Sequence, residues 1–132
     1  MVIDSSAIIA SLADEPDAPV YRAALKTAAE CAMSAFNSLE TRIVLIRAYD
    51  ASLIRDFDAL LSKLAVRVVP FDADQVVLAQ DAYRRFGKGM GHPAQLNLGD
   101  CAAYALARQL GQSLLFKGGD FAKTDIASAL SG

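Results

Sequence analysis

The sequence is poor in the residues that build metal cages and disulfide scaffolds. It has one histidine and two cysteines among 132 residues. Cys31 and Cys101 are far apart, outside any Cys-x-x-Cys pair and away from His92. The sequence therefore predicts neither a zinc site nor a disulfide framework. We expect two buried, reduced thiols instead.

An excess of positive charge and a long apolar run are also lacking. The 13 Lys and Arg residues and 15 Asp and Glu residues give a net charge of −2, which disfavours a sequence-reading DNA-binding domain. The apolar stretch 7–13 lies between Asp4 and Asp14 and is too short to span a bilayer. The first residues carry no basic region of a signal or transit peptide, so we expect a cytoplasmic protein without a membrane partner.

Apolar residues, in contrast, are abundant. They make up 54% of the chain, above the roughly 45–50% of ordinary globular domains, which excludes a disordered protein. The length predicts one domain over residues 1–132. We expect the apolar surfaces of segments 7–29 and 51–64 to contact partners.

Short apolar runs alternate with helical stripes along the whole chain. Strands are predicted at 2–3, 31–34, 66–71 and 113–116, and helices at 7–12, 19–29, about 37–49, 51–64, 73–85 and 98–110. With a further helix at the end, the order is β-α-α-β-α-α-β-α-α-β-α. This order is typical of a three-layer α/β domain, in which helices cover both faces of a parallel sheet of about four to five strands.

Four carboxylates lie where such a sheet binds ligands, beyond the carboxyl ends of its strands. Asp4 ends the first strand, and Glu40 lies on the helix after the second. Asp100 begins the helix that leads to the fourth strand, and Asp120 follows that strand. Two carboxylates about 5 Å apart repel by roughly 3 kcal/mol at an effective dielectric near 20. Their convergence therefore requires protons or a divalent cation.

The type of ligand selects the cation and the chemistry. Carboxylate oxygens without His or Cys favour Mg²⁺ or Mn²⁺ over Zn²⁺. Because Mg²⁺ keeps waters and binds substrate phosphates, the sequence favours phosphodiester hydrolysis by a metal-activated water.

Three of the acids also have a purely structural interpretation. Asn37 with Glu40, and Asn97 with Asp100, match a helix cap followed by an acid three residues later. If the first of these helices begins near Ser34, capping cannot explain Glu40. Asp120 could simply shape a Gly-Gly-Asp turn. For Asp4, burial at the end of a strand is costly without a partner.

Basic residues cluster near the end of the 73–85 helix and after the fourth strand. The functional interpretation is an RNA-binding rim, with aromatic neighbours for unpaired bases, formed by Arg84, Arg85, Lys88, His92 and Lys117. Alternatively, Arg84 and Arg85 only compensate the helix dipole.

Four blocks of the sequence occur in the order of a known family: Met1-Val-Ile-Asp4-Ser-Ser-Ala-Ile, Ser38-Leu-Glu40-Thr, Leu96-Asn-Leu-Gly-Asp100 and Leu114-Leu-Phe-Lys-Gly-Gly-Asp120. With these blocks the chain resembles, over essentially its whole length, the VapC-type PIN-domain toxins, the ribonuclease halves of bacterial type II toxin–antitoxin pairs. The resemblance implies a parallel-sheet PIN fold and an endoribonuclease that uses Mg²⁺ or Mn²⁺ on RNA such as tRNA or rRNA.

The resemblance also implies roles for the acids and partners for the chain. Asp4 and Asp100 would be direct metal ligands, and Glu40 and Asp120 would complete the catalytic pocket. The chain would form a homodimer and bind a VapB-type antitoxin whose C-terminal segment blocks the pocket. One departure is Gly119, where relatives often carry another acidic or polar residue, and it predicts weaker metal binding.

Two other classes of function remain open at this point. In a receiver-like domain, Asp72 would accept a phosphoryl group and Lys117 would contact it, although Asp4 is followed by two serines and not by a second acid. In a catalytically silent binding module, the apolar helix 51–64 would only dock a partner.

Overall fold

The computed structural model describes residues 1–130. In this part of the chain four strands form one sheet: β1 Val2–Ile3, β2 Ala32–Ser34, β3 Arg67–Val69 and β4 Leu114–Leu115. Their order across the sheet is β3-β2-β1-β4, and all three pairs are parallel. Parallel neighbours require crossover connections, and helices supply them.

Among residues 1–130, six α-helices and one short 3₁₀ helix connect or follow the strands: α1 Ser5–Leu12, α2 Ala18–Thr27, α3 Ala35–Ala48, α4 Leu53–Lys63, α5 Ala73–Phe86, α6 Leu98–Leu110 and the 3₁₀ helix Phe121–Lys123. The α-helix predicted after the fourth strand is therefore wrong. Beyond the 3₁₀ helix, the backbone returns to the sheet, where Leu114 donates to the Ala127 carbonyl at 2.9 Å and accepts from the Ala129 N–H at 2.9 Å.

The strands bury opposite faces in two separate cores. Val2 and Leu114 pack with residues of α5 and α6, whereas Ile3 and Leu115 pack with residues of α1, α2 and α4. This alternation follows from the two-residue period of a strand. The predicted three-layer α/β architecture with a parallel sheet is confirmed.

Local chemistry explains where two elements differ from their prediction. α3 begins at Ala35 because the Ser34 side chain accepts from the Phe36 N–H at 3.2 Å, so the cap predicted at Asn37 is wrong. The third strand is shorter than 66–71, because it is an edge strand that ends before Pro70, which has no N–H to donate.

Most of the exposed apolar residues lie outside segments 7–29 and 51–64, which were predicted to contact partners. Ile8 and Phe57, in the two segments predicted to contact partners, are fully buried. α3 instead exposes Leu39, Ile43 and Ile46. Both cysteines are free and buried, as predicted. None of the helices in residues 1–130 has the length and hydropathy of a membrane span.

Candidate active site

Asp4 joins the end of β1 to the start of α1. Its backbone N–H donates to the Leu115 carbonyl at 2.9 Å, which holds it beside the end of β4. Its carboxylate oxygen Oδ2 accepts from the Ser6 N–H at 3.0 Å and from the Ser6 hydroxyl at 2.5 Å. Asp4 is thus the N-cap of α1, a role that the sequence did not reveal.

The environment of Asp4 opposes its negative charge. The residue is 3% exposed, and within residues 1–130 its other oxygen, Oδ1, is buried without a hydrogen bond. The pKa of Asp4 is raised to about 7, chiefly by burial and in smaller part by the charges of Asp100 and Glu40, against the opposing hydrogen bonds from Ser6. A neighbouring proton or cation would relieve this cost.

Glu40 projects from the second turn of α3 and is held by two donors. Its Oε1 accepts from the Ser5 hydroxyl at 2.6 Å and from the Asn37 side-chain amide at 3.3 Å. Because the helix begins after Ser34, Glu40 is too far along it to cap the N-terminus. The capping interpretation of Glu40 is therefore wrong.

Asp100 serves as part of a capping box at the start of α6. Its N–H donates to Asn97 Oδ1 at 2.9 Å, and its Oδ2 accepts from the Asn97 N–H at 3.0 Å. This confirms the capping interpretation for Asp100, but the box occupies one carboxylate oxygen only. The pKa of Asp100 is raised to about 6, chiefly by burial and in smaller part by the charges of Glu40 and Asp120, against the hydrogen bond from the Asn97 N–H.

Asp120 is the most exposed of the four acids. It precedes the 3₁₀ helix, and its side chain makes no capping hydrogen bond there. Its charge raises the pKa of Asp100. Asp120 therefore belongs to the predicted group of four acids through its interaction with Asp100. A Cβ at Gly119 would meet no atom within 4 Å, so the glycine is not required by packing.

The site suits a cation that keeps part of its water shell. Within the described part of the chain, no group of three His, Cys, Asp or Glu side chains is placed so that it could hold a metal ion by itself. Mg²⁺ does not need one, because it commonly binds through one or two carboxylates and retains waters. The buried, unpartnered Oδ1 of Asp4, with Asp100 nearby, fits Mg²⁺ or Mn²⁺ in ligand type and charge.

Two of the residues predicted to bind RNA are engaged in ion pairs. Arg85 lies 2.9 Å from Asp125. Lys117 pairs with Glu15 and, at 3.0 Å, with Asp17. These contacts raise the pKa of both cations. Neither cation is free to meet a phosphate unless it exchanges these partners.

The other three predicted residues differ from one another. Arg84 and Lys88 are exposed, and their side chains form no ion pair within residues 1–130. His92 accepts a hydrogen bond from the Ala94 N–H through Nδ1 at 3.0 Å, and its ring packs edge-on against Phe86 at 5.0 Å. Arg84 and Lys88 are thus the most available for RNA.

Several polar residues of the site were not singled out from the sequence. Ser5 and Ser6 each donate to an acid, and the Asp-Ser-Ser run after the first strand was the available signal. Asn37 was considered only as a cap. Gly99 lies so close to Glu40 that a Cβ there would be 1.9 Å from Oε2, a contact between distant segments that no local pattern reveals.

Comparison with known proteins places this geometry in a family. The family model described as the PIN domain matches residues 1–127 of this chain. The chain belongs to the PIN domain family. Ribonuclease VapC of Mycolicibacterium smegmatis is 47% identical over 128 residues, which cover 97% of this chain and 98% of the relative.

Solved structures give the same fold for this PIN domain. The Mycobacterium tuberculosis toxin VapC20, described as cleaving the sarcin-ricin loop, matches with a TM-score of 0.75 and 18% identity over 96% of this chain and 95% of that one. A toxin-antitoxin complex from Klebsiella pneumoniae matches with a TM-score of 0.66 and 15% identity over 92% and 89%. Membership of the PIN family decides against the receiver-like interpretation, and Asp72 caps α5 by accepting from the Gln75 N–H at 2.9 Å.

Proposed function

We propose that this PIN domain is the toxin of a type II toxin–antitoxin pair and a Mg²⁺- or Mn²⁺-dependent endoribonuclease. The observation that carries the proposal is the Asp4 carboxylate. It is buried, one of its oxygens has no partner in residues 1–130, and it lies near the charges of Asp100 and Glu40. A folded protein tolerates such a group when a bound cation or proton compensates it.

Asp4 and Asp100 would hold the cation, because each uses only one carboxylate oxygen in its cap and their charges act on one another. When bound, the cation supplies Lewis acidity toward water and a phosphate oxygen. Glu40, oriented by Ser5 and Asn37, can accept a hydrogen bond from the attacking water. Asp120 adds negative charge on the exposed side of Asp100, and Arg84 and Lys88 offer unpaired cations to the RNA backbone.

RNA cleavage by the purified protein tests this function. We expect cleavage of a structured RNA such as tRNA or rRNA with Mg²⁺ or Mn²⁺ and none with EDTA. Asp4→Asn and Asp100→Asn should each abolish it, with Asp74→Asn, an exposed acid on α5, as the control. Cleavage that persists in either site variant, or in EDTA, would refute the assignment. Failure to bind any divalent cation would favour a silent binding module.

The antitoxin surface is proposed to be a groove between α2 and α4. A cavity of about 290 Å³ there is lined by residues that include Leu12, Leu25, Leu60 and Leu64. It lies on the two segments predicted to contact partners and suits an apolar helix face of a VapB-type antitoxin. Loss of antitoxin binding in Leu60→Asp, with the fold retained, is the expected result.

The cytoplasmic location of the protein stays a prediction.

The expected homodimer is proposed to use the outer face of α3. Leu39, Ile43 and Ile46 are each about half exposed and follow one another at four and three residues, so they form one apolar stripe. A second copy that covers this stripe would bury it. Light scattering should show a dimer for the native chain and a monomer for Ile43→Asp, and a native monomer would refute this interface.

A further inference from the structure

Asn37 is a buried amide that connects two carboxylate-bearing helices. Its side chain is inaccessible to solvent, with an exposed fraction of 0%. Its amide nitrogen donates to Glu40 Oε1 at 3.3 Å and to the Gly99 carbonyl oxygen at 2.9 Å. Gly99 directly precedes Asp100, so one side chain links the α3 acid to the backbone beside the α6 acid.

The orientation of this amide is fixed by its neighbours. Both partners of the amide nitrogen are oxygens, so rotating the group by half a turn would place its own oxygen against them. The Asn37 oxygen Oδ1 therefore points away and is buried without a hydrogen bond in residues 1–130. An unused buried acceptor costs stability. Packing alone does not explain why a polar side chain with this cost occupies the position.

The contact across Gly99 leaves little freedom between the two helices. Because a Cβ at Gly99 would lie 1.9 Å from Glu40 Oε2, the α6 backbone rests directly on the Glu40 carboxylate. Asn37 binds the same two residues through Glu40 Oε1 and the Gly99 carbonyl. Without it, repulsion among the acids would favour movement of Glu40 toward solvent.

We propose that Asn37 is a positioning residue, which fixes the Glu40 carboxylate at a set distance from Asp100 and so prepares the site for a divalent cation. The inference rests on the proposed metal-dependent function. Through the Gly99 carbonyl, Asn37 also holds the backbone beside Asp100, a proposed metal ligand. Residues that orient metal ligands typically change metal affinity or activity by about 10- to 100-fold when mutated. We expect an effect of at least tenfold for Asn37.

The test compares Asn37→Leu with Thr41→Val. Asn37→Leu keeps the approximate size and branching of the side chain but removes the amide that donates to Glu40 and Gly99, without adding a charge. Thr41 is also fully buried, and its hydroxyl donates to the Asn37 backbone carbonyl at 2.8 Å, so Thr41→Val removes a buried hydrogen bond of α3 without removing the Asn37 side chain. Unfolding in urea measures the structural cost of both.

Calorimetric binding of Mn²⁺ to the full chain, without RNA, is the deciding measurement. We expect Asn37→Leu to weaken Mn²⁺ binding at least tenfold and to lower kcat for RNA more than it raises KM, and Thr41→Val to change each value less than twofold. Folded Asn37→Leu that binds Mn²⁺ like the native chain overturns the positioning role. If Asn37→Leu does not fold, Asn37→Ser is measured with the same two outcomes. A native chain that binds no Mn²⁺ overturns the proposed function itself.

Discussion

Replacing Asp4 by Asn should make the metal-free protein more stable at neutral pH. The pKa of Asp4 is raised from 3.8 to about 7 in the folded chain. Between these values the folded state keeps a proton that the unfolded state has released. The free energy of unfolding therefore falls as the pH rises from about 4 to about 7. Asp100, with its pKa raised to about 6, adds to the loss over the lower part of this range.

The magnitude follows from the size of the shift. About three pKa units at about 1.4 kcal/mol each give an upper limit near 4 kcal/mol at pH 8 for Asp4. Asn keeps an oxygen that can accept from the Ser6 N–H but carries no charge. We therefore expect Asp4→Asn to exceed the native chain by about 2–4 kcal/mol at pH 8 in EDTA and to match it near pH 4.

Urea unfolding of both chains at pH 4 to 8 in EDTA measures this difference, with Asp74→Asn as a surface control. Added Mg²⁺ should stabilise the native chain at pH 8 by binding the ionised site and leave Asp4→Asn nearly unchanged. Parallel pH profiles for the native chain and Asp4→Asn would refute the reasoning, because they would show that Asp4 ionises without cost.

Three further changes test other parts of the structure. Gly99→Ala should abolish RNA cleavage and destabilise the chain by about 1–3 kcal/mol, because the new Cβ meets Glu40; full activity in a cleavage assay would contradict the close approach. Asp125→Asn should cost about 1 kcal/mol or less in urea unfolding, with a smaller effect in high salt, since the ion pairs of Asp125 are partly exposed. Arg84→Ala with Lys88→Ala should raise KM for RNA and leave kcat unchanged; unaltered KM would remove both residues from the RNA surface.

The pattern of the sequence was sufficient to predict the layers and the proximity of the acids, whose role in catalysis stays a proposal. Alternating residues such as Val2 and Ile3 pack into different cores, which is the expected consequence of strand geometry. Asp4 and Asp100 influence one another electrostatically, as their places at the ends of strand and helix predicted. What they bind stays a proposal.

Contacts between distant segments were beyond the sequence. The pairing of Lys117 with Glu15 and Asp17 joins positions about a hundred residues apart, and it changes a predicted RNA-binding cation into an occupied one. The pairing of Arg85 with Asp125 does the same. Local patterns cannot predict ion pairs of this kind, because side-chain charge indicates no particular partner.

The sequence by itself determined the order of strands and helices as far as the fourth strand and the acids that lie after them, because burial period and strand ends are local properties of the chain. Only the tertiary structure decided how those acids are held. The Ser5 hydroxyl donates to Glu40, and the Asn37 side-chain amide donates to the Gly99 carbonyl. These contacts join α1 to α3 and α3 to α6, so they depend on the spacing of these helices around the sheet, which is set by the packing of the whole domain.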